Sequence, residues 1–326
     1  MKTSLFIAAG ALGVLLCAQA AANEYSALLK ARKYADVERL AAARLAQDPA
    51  NAEALIARSE AILNSGAPAR IEEAVKLGQQ CVAAHPQASD CHLAHGNALG
   101  AKAMSNGIMS ALSYAGTIRD EFKRAVELDP QNMEARFSLM QYYLQAPGIV
   151  GGGTGKAQAL AAQTAAIHPE GGKLMQARLD AADDKLAKAE AAVLAMPTSA
   201  NEAIADSQRD LLISLANKYR NDKQYADAER VLREAQKRFP DSDAAIYGLA
   251  RLHQEQGKHR EAIAGMEQAN AMNPQASAYY RIGLSQQALG EKAKAAAAYE
   301  KALSYKTGMS PKMRTDAEDQ LKVLKK

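Results

Sequence analysis

The chain has 326 residues, of which 40 are basic and 36 acidic, and it contains no Trp and only 4 Phe. Its net charge of +4 argues against a nucleic-acid-binding surface, which usually shows strongly clustered Lys and Arg. A chain this long exceeds what one compact core normally holds, so we expect either several domains or a repeat array.

The first segment, residues 1–22, has the features of a cleavable secretory signal. Lys2 precedes an apolar run from Leu5 to Cys17, and small residues around Ala20 form a cleavage pattern. The run is too short to span a membrane, which takes roughly 20 residues. We therefore predict cleavage after Ala20 or Ala22 and a periplasmic or secreted protein.

Residues 23–200 are predicted to form degenerate helix pairs with inserted loops. Prolines end successive helical runs, among them Pro86 and Pro130. These two lie about ten residues further apart than a repeat of roughly 34 residues requires, which places an insertion within 104–116. A second insertion, here called the glycine loop, covers residues 147–155.

Residues 201–308 are predicted to contain three well-formed helix pairs. Small residues recur there at a fixed spacing and suit the places where helices cross most tightly. They are Ala216, Ala228 and Ala235, then Ala250, Ala262 and Ala269, then Gly283, Ala295 and Ala302. Gly257 and Gly290 are placed to end helices, and Pro240 and Pro274 to stop others. Residues 309–326 are predicted to form a capping helix.

These residues resemble the consensus of the tetratricopeptide repeat (TPR) superfamily. The resemblance implies an all-α, right-handed TPR solenoid of about seven to eight helix pairs with a C-terminal capping helix. The residue pattern of the glycine loop, a Pro-Gly pair followed by three consecutive glycines, is similar to that of a loop in a group of exported bacterial TPR proteins. In such solenoids the first helix of each pair lines a concave groove, which is the usual ligand surface.

Polar side chains occupy the corresponding groove positions of the three well-formed pairs. Arg can bind carboxylates with a planar fork and Tyr provides a rigid contact surface, so we hypothesise that the groove accepts an acidic peptide or a free C-terminus. Alternatively, the arginines pair with Glu and Asp of neighbouring helices. The candidate residues are Asn217, Arg220, Asn221, Tyr247, Arg251, Gln254, Tyr280, Arg281 and Gln287.

The corresponding N-terminal positions are more apolar: Ile56, Leu93, Phe137 and Leu144. They suit an amphipathic helix, or else the inserted loops bury them.

Cys81 and Cys91 lie on either side of the turn at Pro86. This near-symmetric placement is compatible with a disulfide and equally with two buried free thiols. His85, His92 and His95 lie in the same stretch and raise the possibility of a Cys/His metal site. The three histidines do not converge on one face, so we expect no metal.

No motif places a catalytic group, and we expect no enzyme activity and no cofactor. The sequence favours a periplasmic scaffold or adaptor that binds a partner protein or peptide and no nucleic acid, and that has no membrane span. One alternative is an accessory subunit of a solute-uptake or envelope-assembly system that handles a small ligand. Another is an enzyme whose site lies in residues 104–116 or in the glycine loop.

Overall fold

The structure, a computed structural model, describes residues 24–105 and 107–325. The predicted signal segment, residues 1–22, lies outside the described residues. Regular structure within the described ranges is helical throughout, which confirms the predicted all-α class. None of these helices is both long and apolar enough to cross a membrane.

The chain divides into two compact units, residues 1–157 and 158–326. The first unit contains short 3₁₀ turns at Pro68–Arg70 and Gly148–Val150, and its helices are α1 (24–30), α2 (Tyr34–Gln47), α3 (Ala52–Asn64), α4 (Ile71–Ala84), α5 (Ser89–Ser105), α6 (Ile108–Leu128) and α7 (Met133–Gln145). Helix α8 (Thr154–Ile167) begins in this unit and ends in the second.

The second unit continues with four helix pairs and a final helix. These are α9 (Pro169–Ala182) and α10 (Leu186–Leu194), α11 (Glu202–Asn221) and α12 (Tyr225–Arg238), α13 (Asp243–Glu255) and α14 (His259–Met272), α15 (Ala276–Ala288) and α16 (Lys292–Ser304), and then α17 (Pro311–Leu324). Helix α17 packs on α16, as expected for the predicted cap.

The recurring small residues occupy the places where helices touch. The predicted alanines are buried in all three pairs. A methyl group added at Gly283 would lie 2.7 Å from the ring of Tyr299, so the close approach of α15 and α16 requires glycine there. Gly257 and Gly290 have φ of +74° and +78°, which confirms their predicted place in turns.

The predicted insertion at 104–116 is not a loop. Helix α5 has 17 residues and α6 has 21, and most of the extra residues lengthen these two helices. Gly107, with φ of +84°, provides the turn between them. The expected inserted loop is therefore not observed: residues 104–105 end α5 and residues 108–116 begin α6, and neither helix contains a proline.

The glycine loop is held to its own unit by hydrogen bonds. The Tyr142 hydroxyl donates to the Val150 carbonyl at 2.7 Å, and the Gly153 N–H donates to the Tyr143 carbonyl at 2.8 Å. Lys156 Nζ donates to the Gly151 carbonyl at 2.9 Å. These bonds tie the loop to α7, and Lys156, the residue that follows the loop, is engaged by the loop's own backbone.

Cys81 and Cys91 form a disulfide between the end of α4 and the start of α5. Their Cα atoms are 5.2 Å apart, and both side chains are buried. Nearby, a Cβ added at Gly78 would lie 2.7 Å from the Cα of His95, so α4 and α5 are in close contact here. The disulfide thus links α4 and α5 where Gly78 already allows them to pack closely.

We expect Gly78→Ala and Gly100→Ala to have opposite effects on stability. The first substitution forces α4 away from the α5 backbone and should lower the free energy of unfolding by about 2 kcal/mol. Gly100 is also within α5, but a Cβ there meets nothing within 4 Å, so alanine should raise stability by roughly 0.5–1 kcal/mol. Urea unfolding of both variants measures this, and shifts of the same sign would contradict the packing described.

We expect the disulfide to be present in protein purified from an oxidising compartment. Unreduced, denatured protein should then show no alkylatable thiol at Cys81 or Cys91 by mass spectrometry. Reduction should lower the free energy of unfolding by about 3 kcal/mol, because a loop of this length loses its constraint in the unfolded chain. Two alkylated thiols in the unreduced sample would contradict the expectation.

Candidate functional site

Three arginines lie close together on the first helices of the three C-terminal pairs. They are Arg220 on α11, Arg251 on α13 and Arg281 on α15. Arg220 Nε and Arg251 Nη2 lie 3.4 Å and 3.8 Å from the same oxygen, Oε1 of Glu255. The helix spacing therefore brings together side chains that the sequence places one repeat apart.

Arg220 is a buried member of this group rather than an exposed ligand contact. Only 7% of the residue is exposed. Its guanidinium donates to Oδ1 of Asn217 at 2.5 Å and to Oδ1 of Asn221 at 3.0 Å. These three predicted site residues thus bind one another, and Arg220 supports the surface from within.

Arg281 is held by uncharged partners. Its Nη1 donates to Oε1 of Gln254 at 2.8 Å, and its Nε donates to the Tyr247 hydroxyl at 3.2 Å. Gln254 in return donates to the Arg281 carbonyl and to the Ser285 hydroxyl, each at 2.8 Å. We call Tyr247, Arg251, Gln254 and Arg281 the arginine face.

The arginine face has more positive than negative charge. Two guanidinium groups, those of Arg220 and Arg251, share the one carboxylate of Glu255, and the side-chain partners of the third, Arg281, are uncharged. Burial, together with the neighbouring charges of Arg281 and Arg220, lowers the pKa of Arg251. Arg251 Nε is a buried donor without an acceptor among the described residues. An anion at this face would therefore relieve the repulsion among the guanidinium groups.

The alternative prediction, that these arginines pair with acidic residues, is observed for Arg220 and Arg251. Arg220 pairs across helices with Glu255, and Arg251 contacts the same carboxylate within its own helix. The side-chain contacts of Arg281 are with Tyr247 and Gln254 instead.

Two other predicted site residues face the final helix. The Tyr280 hydroxyl donates to Oδ2 of Asp316 at 2.7 Å, and Gln287 Nε2 donates to Oε1 of Gln320 at 2.7 Å. Burial and the bond to Asp316 raise the pKa of Tyr280 to about 12. These contacts attach α17, so Tyr280 and Gln287 have a structural role at the end of the array.

The histidines near the disulfide bind a carboxylate. His92 Nδ1 and His95 Nδ1 lie 2.5 Å and 2.9 Å from the two oxygens of Glu121 on α6. His85 Nε2 is 2.5 Å from the Ala50 carbonyl. No group of three or more His, Cys, Asp or Glu is placed to hold a metal ion within the ranges 24–105 and 107–325.

The N-terminal positions do not present the apolar surface that the sequence suggested. Leu93 and Phe137 are buried, while Ile56 and Leu144 are partly exposed. Acidic residues one helical turn away, Glu60 on α3, Asp90 on α5 and Glu134 on α7, form what we call the acidic face. Sequence analysis missed them because it sampled only the consensus groove positions.

Glu60 is the least solvated of the three acids. Glu60 is only partly exposed. Burial, followed by the charges of Glu134 and Asp90, raises the pKa of Glu60 to about 7. Asp90 and Glu134 are exposed, and Asp90 Oδ1 accepts a hydrogen bond from Asn132 at 2.8 Å.

We expect Arg220→Ala to destabilise the second unit by about 2–3 kcal/mol, because it leaves Asn217, Asn221 and Glu255 without their buried donor. Arg233→Ala is a matched control, since Arg233 is exposed and pairs with Glu229 within α12. Its effect should stay within about 0.5 kcal/mol. Urea unfolding compares them, and equal stability of the two variants would contradict the buried role of Arg220.

Known proteins resemble the three C-terminal pairs in sequence and most of the chain in fold. The tetratricopeptide repeat family matches residues 220–285 and 276–307, within the three C-terminal pairs. No curated protein matches the chain. Yeast Tom70 is 12% identical with a TM-score of 0.63, over 90% of this chain and 59% of its own. Human IFIT1, solved as a dimer with m7Gppp-AAAA, is 17% identical with a TM-score of 0.51, over 84% and 63%.

A tetratricopeptide repeat protein from Parabacteroides merdae is 15% identical over 93% of this chain and 97% of its own, with a TM-score of 0.45. The chain spans about six-tenths of the length of Tom70 and IFIT1. At these levels of sequence identity, the similarity to Tom70 and IFIT1 shows a shared fold and nothing further. The family matches show tetratricopeptide repeats within residues 220–307, and the similarity to Tom70 shows a fold of the same helical kind.

Proposed function

We propose that this protein is a non-catalytic periplasmic scaffold or adaptor that binds a partner protein or peptide through the arginine face. Tetratricopeptide repeat proteins usually act by binding other proteins, which supports the general part of the proposal. The signal-like pattern of residues 1–22 and the disulfide support its location, since disulfides persist in oxidising compartments.

The observation that carries the proposal is the excess positive charge of the arginine face. Arg251 is only partly exposed, retains a donor without an acceptor, and is repelled by two other guanidinium groups. A carboxylate from a partner would supply the negative charge that this group of arginines lacks. Tyr247 and Gln254 hold Arg281 in place beforehand, which limits the side-chain entropy lost on binding.

The ligand is therefore an acidic peptide segment or a free C-terminus. The two are distinguished by a pair of labelled acidic peptides that differ only in a terminal carboxylate or amide. If the face binds a C-terminus, the amide should bind more weakly. If it binds acidic side chains, both peptides should bind alike, and binding should weaken as salt is added.

We expect the double substitution Arg251→Ala/Arg281→Ala to weaken binding of the acidic peptide at least about tenfold, because it removes two charged donors. Arg220 is left in place, since its loss would disturb folding. The matched control is Arg233→Ala/Arg260→Ala, which removes two exposed arginines from the second helices α12 and α14.

Fluorescence anisotropy at a fixed salt concentration measures the affinity of the acidic peptide for the wild type and for both double variants. The control should bind as the wild type does. An equal loss in both double variants would show that only net charge matters, and unchanged binding by Arg251→Ala/Arg281→Ala would remove the arginine face as the site. A crosslinked pull-down from the native envelope with the same pair of variants then identifies the partner that depends on this face.

A further inference from the structure

The ring of His92 on α5 lies between two hydrogen-bond acceptors. Its Nδ1 is 2.5 Å from Oε2 of Glu121 on α6, and its Nε2 is 3.1 Å from the carbonyl oxygen of Pro86. A carbonyl oxygen can only accept, so Nε2 must carry a proton and donate it. If the carboxyl group of Glu121 is ionised, Nδ1 must do the same. The protonation of His92 therefore depends on the charge of Glu121.

Glu121 is a carboxylate that two histidines share. His95 Nδ1 lies 2.9 Å from its second oxygen, Oε1. Burial raises the pKa of Glu121, but the hydrogen bonds from His95 and His92 outweigh burial, and the pKa lies below its usual value. An ionised Glu121 accepts from both Nδ1 atoms. His92 is then protonated on both ring nitrogens and positively charged, whereas His95 needs a proton on Nδ1 only.

This group of side chains lies in a close contact of α5 and α6. The side chains of His92, His95 and Glu121 are 10%, 12% and 15% exposed. A Cβ added at Gly96 would lie 2.5 Å from the ring of Phe122, so the two helices are packed closely beside Glu121. A neutral His92 has only one N–H to donate. Loss of its second proton would therefore leave either Glu121 or the Pro86 carbonyl without its donor.

The charge of His92 is balanced by Glu121, which is the one charged group in contact with the two histidines within the described residues. Helices α3, α4, α6 and α7 all pack against α5. Further titratable groups on these helices and on α5 have other neighbours. Cys81 is in the disulfide and does not titrate, His85 lies against the Ala50 carbonyl, Arg58 pairs with Glu73, Lys102 pairs with Glu72, Arg124 donates to Gln87, Asp90 accepts from Asn132, and the charges that act on Glu60 are those of Glu134 and Asp90.

We propose that His92, His95 and Glu121 form a pH-sensitive latch, in which the second proton of His92 ties the Pro86 turn and α5 to α6. When the pH rises and His92 gives up this proton, one of its two contacts is lost. Helix α6 is then held less firmly against the junction of α4 and α5 that the disulfide closes. The latch goes beyond the proposed function, since it lies in the first unit and does not involve the arginine face.

The latch stabilises the folded protein more at mildly acidic pH than at alkaline pH. A histidine in an unfolded chain loses its charge near about pH 6.5. The folded state keeps the second proton of His92, so above this pH it binds more protons than the unfolded state does. The free energy of unfolding should therefore fall as the pH rises. Glu121→Gln should remove this dependence, because the amide can donate to a neutral His92 and accept from His95 without an additional proton.

Melting temperatures of the full-length wild type, Glu121→Gln and Glu127→Gln at about pH 6 and about pH 8, at equal ionic strength, test the latch. Glu127→Gln is the matched control, since Glu127 is an exposed acid on the same helix and lies 3.7 Å from Arg124. The wild type and Glu127→Gln should melt several degrees lower at the higher pH. Glu121→Gln should show a clearly smaller shift. Equal shifts in the wild type and Glu121→Gln, or an equally reduced shift in Glu127→Gln, would overturn the proposal.

Nitrogen NMR of the histidine rings measures the protons directly in the wild type, so it does not depend on the folding of a variant. At about pH 7.5, where a free histidine is largely neutral, His92 should carry protons on both Nδ1 and Nε2. His95 should be protonated on Nδ1. An unprotonated ring nitrogen on His92 at this pH would also overturn the latch.

Discussion

The close contact of helix backbones is the constraint on which the rest of the structure depends. At Gly78 and Gly283 there is no room for even a methyl group, and alanines fill the equivalent contacts in other pairs. This spacing sets the first helices of successive pairs side by side. Gln254 can reach Ser285, and Arg220 can reach Glu255, only because the helices that carry them are this close. The small residues therefore determine which functional side chains meet.

The same constraint explains what the sequence could predict. The recurrence of Ala228, Ala262 and Ala295 is a local pattern, and it was sufficient to predict the three C-terminal pairs and the class of the fold. The lengths of the helices were less predictable. Extra residues between Pro86 and Pro130 can be counted from the sequence, but the consensus does not say whether they form a loop or lengthen α5 and α6. In the structure they lengthen the two helices, whose packing against each other a consensus for single repeats does not describe.

The candidate sites were only partly predictable, for a different reason. Consensus positions identified Arg251 and Arg281, but not the burial of Arg220, which depends on Asn217, Asn221 and Glu255 together. Glu255 is not among the consensus groove positions. The acidic face was missed in the same way, since Glu60, Asp90 and Glu134 each lie one turn from the positions considered. Contacts between repeats involve side chains that a pattern within one repeat does not select.

The folded chain satisfies part of the arginine face by itself. On the arginine face, Gln254 and Tyr247 hold Arg281, and Glu255 compensates part of the charge, so the surface is already ordered before any partner arrives.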